Sequence, residues 1–196
     1  MSYTLKASAD NCYEGTTCLI NKLNIRDDKL LSELEAQITF AKAAILDTEP
    51  ILGSFDFSHF KKIHEFLFCD IYDWAGQIRT VDISKKKTSF LEFSLIEDMA
   101  TKSFAKISEG YLKNLTFSEF VFRIADFYND VNYIHPFREG NGRTQRIYFT
   151  QLIRHYGYDI NFANVDTDDL MIATIQASQG VLDFLVSFFA ESIVTL

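Results

Sequence analysis

The run His135-Pro-Phe-Arg-Glu-Gly-Asn-Gly-Arg-Thr-Gln-Arg146 combines residue types whose spacing could do phosphate chemistry. Pro136 disfavours helical geometry at His135, so the preceding helix stops there and an imidazole is left at a helix–loop junction. An unperturbed imidazole titrates near ~6.5, which makes His135 a competent general base close to neutral pH. Gly140-Asn141-Gly142 lets several backbone N–H groups point the same way at the positive end of the next helix, which is an anion site. Arg143 and Arg146 stand three residues apart on one face of that helix, and both guanidinium forks can reach one polyphosphate. Glu139 lies beside them, and a carboxylate next to a phosphate cradle is a usual way to hold Mg²⁺. A Gly-Asn-Gly alone reads as a turn with solvated arginines. Joined to His, Glu and two Arg at these offsets, it reads as a nucleotide-phosphate site with a metal ligand and a base.

Groups of this kind need rigid elements to hold them. The chain has 196 residues, 47% hydrophobic and 23% charged, with 19 Phe, which is too apolar for disorder and long enough to bury a core. Only two prolines and eight glycines interrupt it, and most long segments carry apolar residues at helical spacing, so the expected class is mostly α. Asp27 to Leu46 places Leu30, Leu31, Leu34, Ile38, Ala41 and Ile45 on one face, closed by Pro50, and Phe57 to Cys69 reads as a second helix. Ser94-Leu-Ile-Glu97 and Thr116-Phe-Ser-Glu119 read as capping boxes; the second opens a long stripe from Phe117 to Val131 that ends near Ile134. The stretch about 78–93 resists a helical reading: β-branched residues flank a polar tip, Lys85-Lys86-Lys87, which predicts a short hairpin. No repeat, low-complexity tract or linker divides the chain, so residues 1–196 are expected to form one domain.

With 19 basic and 27 acidic residues the net charge is −8, and nothing collective draws in nucleic acid or an anionic membrane. Cys12, Cys18 and Cys69 are odd in number and lack His partners, which suggests reduced thiols in the cytoplasm rather than a disulfide framework or zinc site. No stretch approaches the roughly 20 apolar residues of a spanning helix, and the N-terminus carries no leader pattern. A cytoplasmic location without membrane partners is expected.

The 135–146 run matches, at every defined position, the signature His-Pro-Phe-x-Asp/Glu-Gly-Asn-Gly-Arg-x-x-Arg of the Fic family, and the chain is similar to that family also over Ile63–Arg79, the hairpin and Gly15–Ile25. The resemblance implies a helical bundle with a β-hairpin flap that moves AMP from ATP onto a Tyr, Ser or Thr hydroxyl of a target protein and releases pyrophosphate. It implies His135 as the general base, Glu139 as the Mg²⁺ ligand, and Gly140, Asn141 and Gly142 as contacts to phosphate oxygens. Arg143 and Arg146 are then assigned to the β- and γ-phosphates, and Phe137 to the buried anchor of the loop. The flap, with Ile83, would align a target segment by main-chain pairing. Its Lys85, Lys86 and Lys87 either approach nucleotide or an acidic target, or form a solubilising turn. Transfer of UMP, phosphate or phosphocholine, removal of AMP, or a module without turnover are the alternatives. Bacterial members of this type act on topoisomerases such as gyrase, which makes such a protein an expected target. Self-modification is a further expectation. His59, His64 and His155 lack comparable surroundings and read as packing or surface residues.

After Gly180 the chain is apolar nearly all round, with Asp183, Ser187, Glu191 and Thr195 as one polar stripe on a helix spanning about 181–195. By spacing alone that stripe is the solvent face of a buried or oligomer-forming helix. The family resemblance adds another reading. Ser187-x-x-x-Glu191 is similar to the family's inhibitory pattern except for Ser192 at its last position, and Glu191 would then pair with Arg146 and occupy the room of the γ-phosphate. Phe184, Phe188 and Phe189 would seat that brake through a homo-oligomer contact.

Overall fold

The computed structural model describes residues 11–85 and 88–196. Seven α-helices are present among them: α1 Asp28–Thr48, α2 Phe57–Phe68, α3 Ile96–Ser108, α4 Phe117–Ile134, α5 Asn141–His155, α6 Thr167–Ser178 and α7 Asp183–Ser192. Two small antiparallel pairs accompany them, β1 Ser84–Lys85 with β2 Thr88–Ser89, and β3 Tyr158–Ile160 with β4 Ile193–Thr195.

Local chemistry explains where these elements begin. Asp27 caps α1 by accepting the Leu30 N–H at 2.9 Å, and Asp56 caps α2 by accepting the His59 N–H at 2.7 Å. The expected box at Thr116 is formed: Glu119 accepts the Thr116 N–H at 2.8 Å, and the Thr116 hydroxyl accepts the Glu119 N–H at 3.4 Å. The box expected at Ser94 is not formed. Ser94 sits inside a 3₁₀ turn, Phe93–Leu95, where its hydroxyl donates to Glu92, and α3 starts at Ile96 without a side-chain cap.

α2, α3, α4 and α5 build the centre. Phe60, Phe104, Phe127 and Tyr148 meet edge-on or tilted with centroids 5.2 to 5.4 Å apart, the geometry aromatic quadrupoles prefer. The buried residues from Cys18 to Ile193 form one apolar cluster, so the chemistry-bearing loop between α4 and α5 rests on its middle.

Three expectations need correction. The buried face of α1 is Leu31, Glu35, Thr39 and Leu46, whereas Leu30 and Ile45 are exposed; the helix is rotated so that a carboxylate and a hydroxyl face inward. The hairpin expected over 78–93 is short: among the described residues its ladder pairs Ser84↔Ser89 and Lys85↔Thr88, with the Phe90 N–H donating to the Ile83 carbonyl at 3.4 Å below them, and Lys86 and Lys87 lie outside the described residues. The C-terminal helix stops at Ser192, and Ile193 pairs with Ile160 as a strand, because β-branched Ile193, Val194 and Thr195 favour extended backbone. None of the described helices is long and apolar enough to cross a membrane.

Candidate active site

His135 lies just past the last turn of α4. His135 closes that helix in left-handed geometry, φ 44°, with its N–H still donating to Val131 at 3.1 Å, as a residue ahead of proline must leave the helix. Its Nδ1 lies 3.0 Å from the Asn132 carbonyl. A carbonyl only accepts, so Nδ1 carries the proton and the lone pair of the neutral ring belongs to Nε2. Phe90, at the end of the hairpin, stacks on the imidazole at 3.7 Å between centroids and 12° between planes.

Arg79 ties these pieces together. Its Nε donates to the His135 carbonyl at 2.9 Å, its Nη1 to Val81 at 2.7 Å and its Nη2 to Leu91, while its backbone N–H donates to Pro136 at 2.9 Å. Burial pulls its pKa down to about 10, which still leaves it charged at neutral pH. Both sides of the hairpin base are thereby fixed to His135, a part for Arg79 that its sequence surroundings do not reveal.

The loop after His135 is pinned from inside. Phe137 is fully buried between Phe60, 5.5 Å away, and the ring of His64, 3.8 Å away, so it anchors the loop and does not reach the cavity. Asn141 accepts the Phe137 N–H at 2.8 Å and donates to the Phe137 carbonyl at 2.7 Å. Its amide is turned inward at 2% exposure, so this side chain braces the loop from within. His64, expected to be a packing or surface residue, has a specific task. Its Nδ1 accepts the Gly76 N–H at 2.8 Å, so Nε2 carries the proton and donates to the Glu139 carbonyl at 3.0 Å.

Desolvation between aromatic rings lowers the His64 pKa from 6.5 to about 3, with the Arg143 charge adding to the shift and the Glu139 carbonyl opposing it. The folded state therefore resists a proton that the unfolded chain accepts. His64 contributes stability that is complete above pH ~6.5 and lost as pH falls toward 3, about 2 kcal/mol of it by pH 5. Denaturant titrations at pH 7 and pH 5 are expected to show that drop, and His64→Gln to remove most of it. His59, also shifted down by burial, keeps a smaller share of the acid sensitivity in that variant.

Gly140, φ 80°, is the N-cap of α5; its own N–H donates to the Glu139 carboxylate at 2.9 Å, no side chain caps the first-turn N–H groups, which suit an anion, and Gly142 lines the cavity in front of them. That cavity, about 980 Å³, is also walled by His135, Glu139, Arg143, Arg146 and Arg138. Arg146 makes no ion pair among the described residues. Arg143 donates to Thr39 at 3.2 Å, to Glu139 at 3.4 Å and to Glu35, and lies 4.9 Å over the Phe68 ring. Arg138, unassigned by the sequence reading, is 4% exposed; among the described residues it donates to the Cys12 thiol at 3.8 Å and its buried Nε has no partner. Three guanidinium groups on one wall suit a polyphosphate. Glu139 is a loop carboxylate on the same wall, the donor type that Mg²⁺ takes together with phosphate oxygens.

The structure brings His135, Glu139, Gly140, Gly142, Arg143 and Arg146 together. It does not bring Glu191 to Arg146. Ser187 and Glu191 lie on the exposed side of α7, and no ion pair joins Glu191 to an arginine among the described residues. The polar stripe is the solvent face of the helix. Phe189 is buried against Tyr128 at 5.2 Å and so is closed to a partner, whereas Phe184 is exposed. On the flap, Ile83 is buried at 4% exposure rather than presented outward.

Comparisons with known proteins agree with this geometry. Residues 54–153 match the model of the Fic/DOC family. The chain is 35% identical over 180 residues to the "Probable protein adenylyltransferase Fic" of Escherichia coli, covering 91% of this chain and 89% of that protein. It is 35% identical over 179 residues to the "Protein adenylyltransferase VbhT" of Bartonella schoenbuchensis, of which it spans only 37%. The N-terminal Fic domain of a Bartonella quintana effector, solved with bound ADP, superposes with a TM-score of 0.87 at 26% identity over 95% of both chains. The BepC protein of Bartonella tribocorum, solved with bound AMPPNP, gives a TM-score of 0.87 at 25% identity over 96% of this chain and 98% of that one.

Proposed function

Because this chain belongs to the Fic/DOC family, we propose that it is a protein adenylyltransferase, moving AMP from ATP to a Tyr, Ser or Thr hydroxyl of a target protein with release of pyrophosphate. One observation carries the reading: a histidine whose tautomer assigns its lone pair to Nε2 shares a cavity with an uncapped helix N-terminus and two motif arginines.

In this reading Nε2 of His135 takes the proton of the target hydroxyl as its oxygen attacks the α-phosphorus. The first-turn N–H groups of α5 face the phosphate oxygens on which charge develops. Arg143 and Arg146 hold the β- and γ-phosphates and orient the leaving pyrophosphate. Glu139 would hold Mg²⁺, which when bound supplies charge neutralisation on the phosphates. Phe90 covers one face of the imidazole and limits water beside it. The nucleotides bound to the two Bartonella domains support a nucleotide in this cavity.

The test is a comparison of two labels. With Mg²⁺ and a bacterial lysate, ATP labelled at the α-phosphate is expected to mark a protein or the enzyme itself, and ATP labelled at the γ-phosphate is not. Transfer of the γ-label, or of neither, contradicts AMP transfer. Omission of Mg²⁺ is expected to abolish labelling if Glu139 serves as assigned.

The brake expected at Glu191 gains no support from the geometry, since its carboxylate is exposed on α7. Glu191→Gly is accordingly expected to leave the labelling rate within about 2-fold of the unaltered chain, in keeping with surface substitutions that touch no partner.

A further inference from the structure

The motif arginine Arg143 is gripped from a helix that carries none of the motif. Glu35 on α1 is 7% exposed, accepts from Arg143 and also accepts the Tyr72 hydroxyl proton. One turn further along, the Thr39 hydroxyl donates to the Glu35 carbonyl at 2.7 Å and accepts from Arg143 at 3.2 Å. Glu35 burial would be costly for an unpaired charge, and the guanidinium opposite it supplies the compensation. Three of the five guanidinium N–H groups are engaged by Glu35, Thr39 and Glu139. Two remain to meet phosphate from a head that can no longer swing.

We propose that Glu35 is a positioning residue for the transfer reaction, holding Arg143 through the Tyr72–Glu35–Arg143 chain in the pose that meets the β-phosphate. The inference rests on the adenylyltransferase reading and adds to it a residue outside the signature. Arg143 acts where charge grows as pyrophosphate leaves, so a loosened guanidinium costs rate more than it costs ground-state binding. Glu35 does not touch the nucleotide; it acts through Arg143.

The experiment follows initial rates of α-label incorporation across ATP concentrations for the unaltered chain, Glu35→Ala, Glu35→Gln, Arg143→Ala and the Glu35→Ala/Arg143→Ala pair, with His135→Ala as the control. Glu35→Ala is expected to lower kcat by about 10- to 100-fold with KM for ATP within about 3-fold. Glu35→Gln keeps an oxygen for Arg143 and turns an amide N–H toward the Tyr72 hydroxyl, which can accept it, and should recover kcat to within about 5-fold. In the Arg143→Ala background Glu35→Ala should add less than about 2-fold, since its route to the reaction is already gone. Should Glu35→Ala fail to fold, Tyr72→Phe takes its place and is expected to show the same non-additivity at smaller size.

An unchanged or raised kcat in Glu35→Ala overturns the proposal, as does an equal loss in the presence and absence of Arg143. Labelling that needs His135 but ignores Glu35 sinks this inference alone. Labelling that ignores His135 sinks the transfer reading and this inference together.

Discussion

His135→Ala is expected to reduce AMP transfer by about 10²- to 10⁴-fold, the range that a positioned general base contributes. The argument lies in the ring's two nitrogens. Nδ1 is committed to the Asn132 carbonyl at 3.0 Å, so the proton of an incoming hydroxyl has a defined destination on Nε2. Removing the ring also leaves Phe90 without the surface it stacks on. His135→Asn is the better-controlled companion, because φ 44° is left-handed and asparagine tolerates that region better than alanine does. Both variants should bind ATP with ordinary affinity while labelling falls, as read by nucleotide titration beside the transfer assay. A rate within about 3-fold of the unaltered chain would remove His135 from the role of base.

Gly140→Ala is expected to destabilise the fold by about 2 to 4 kcal/mol, a drop of roughly 10 °C in Tm for a chain of this size. Two causes add. The residue sits at φ 80°, where a side chain costs about 1 kcal/mol, and a Cβ there would lie 2.2 Å from Cζ of Phe68. That ring is fully buried and stacked on His64 at 4.6 Å, so it has nowhere to go. Gly157→Ala separates the causes: it shares a positive φ, 85°, but has nothing within 4 Å of the added carbon. It should lose only the backbone share, about 1 kcal/mol. Equal losses at the two sites, measured by denaturant melts, would rule out the Phe68 contact as the reason Gly140 must stay small.

Much of this was legible because the signature chemistry is local. His135, Glu139 and the two arginines lie within one loop and the first turns of α5, and proline and glycine geometry alone places them. The residues that steady them were not legible, because their partners are far away in the chain. Glu35 is 108 residues from Arg143, and His64 is 75 from Glu139. A signal for Glu35 was present in the spacing Leu31, Glu35, Thr39, one residue per turn on a single face of α1. It was outweighed by the neighbouring stripe of Leu30, Leu34 and Ile38, since periodicity weighs apolar residues and cannot see a cation arriving from α5. The C-terminal stripe is ambiguous in sequence for a related reason. A polar stripe at four-residue spacing is equally the mark of a solvent face, and only the packing of α7 on α4 and α6 decides which way it looks.

Arg79 makes the hairpin and the imidazole share one datum. Because a single guanidinium spans the carbonyls of Val81, Leu91 and His135, a shift of the hairpin base cannot occur without dragging or breaking bonds to His135. In the proposed reaction, a segment aligned on the hairpin edge would therefore already be registered against Nε2 of His135. With its pKa held near 10, the clamp stays charged through the range in which His64 would gain a proton on unfolding. Acid can thus erode the stability of the loop's foundation while the alignment of hairpin and base stays intact in every molecule still folded.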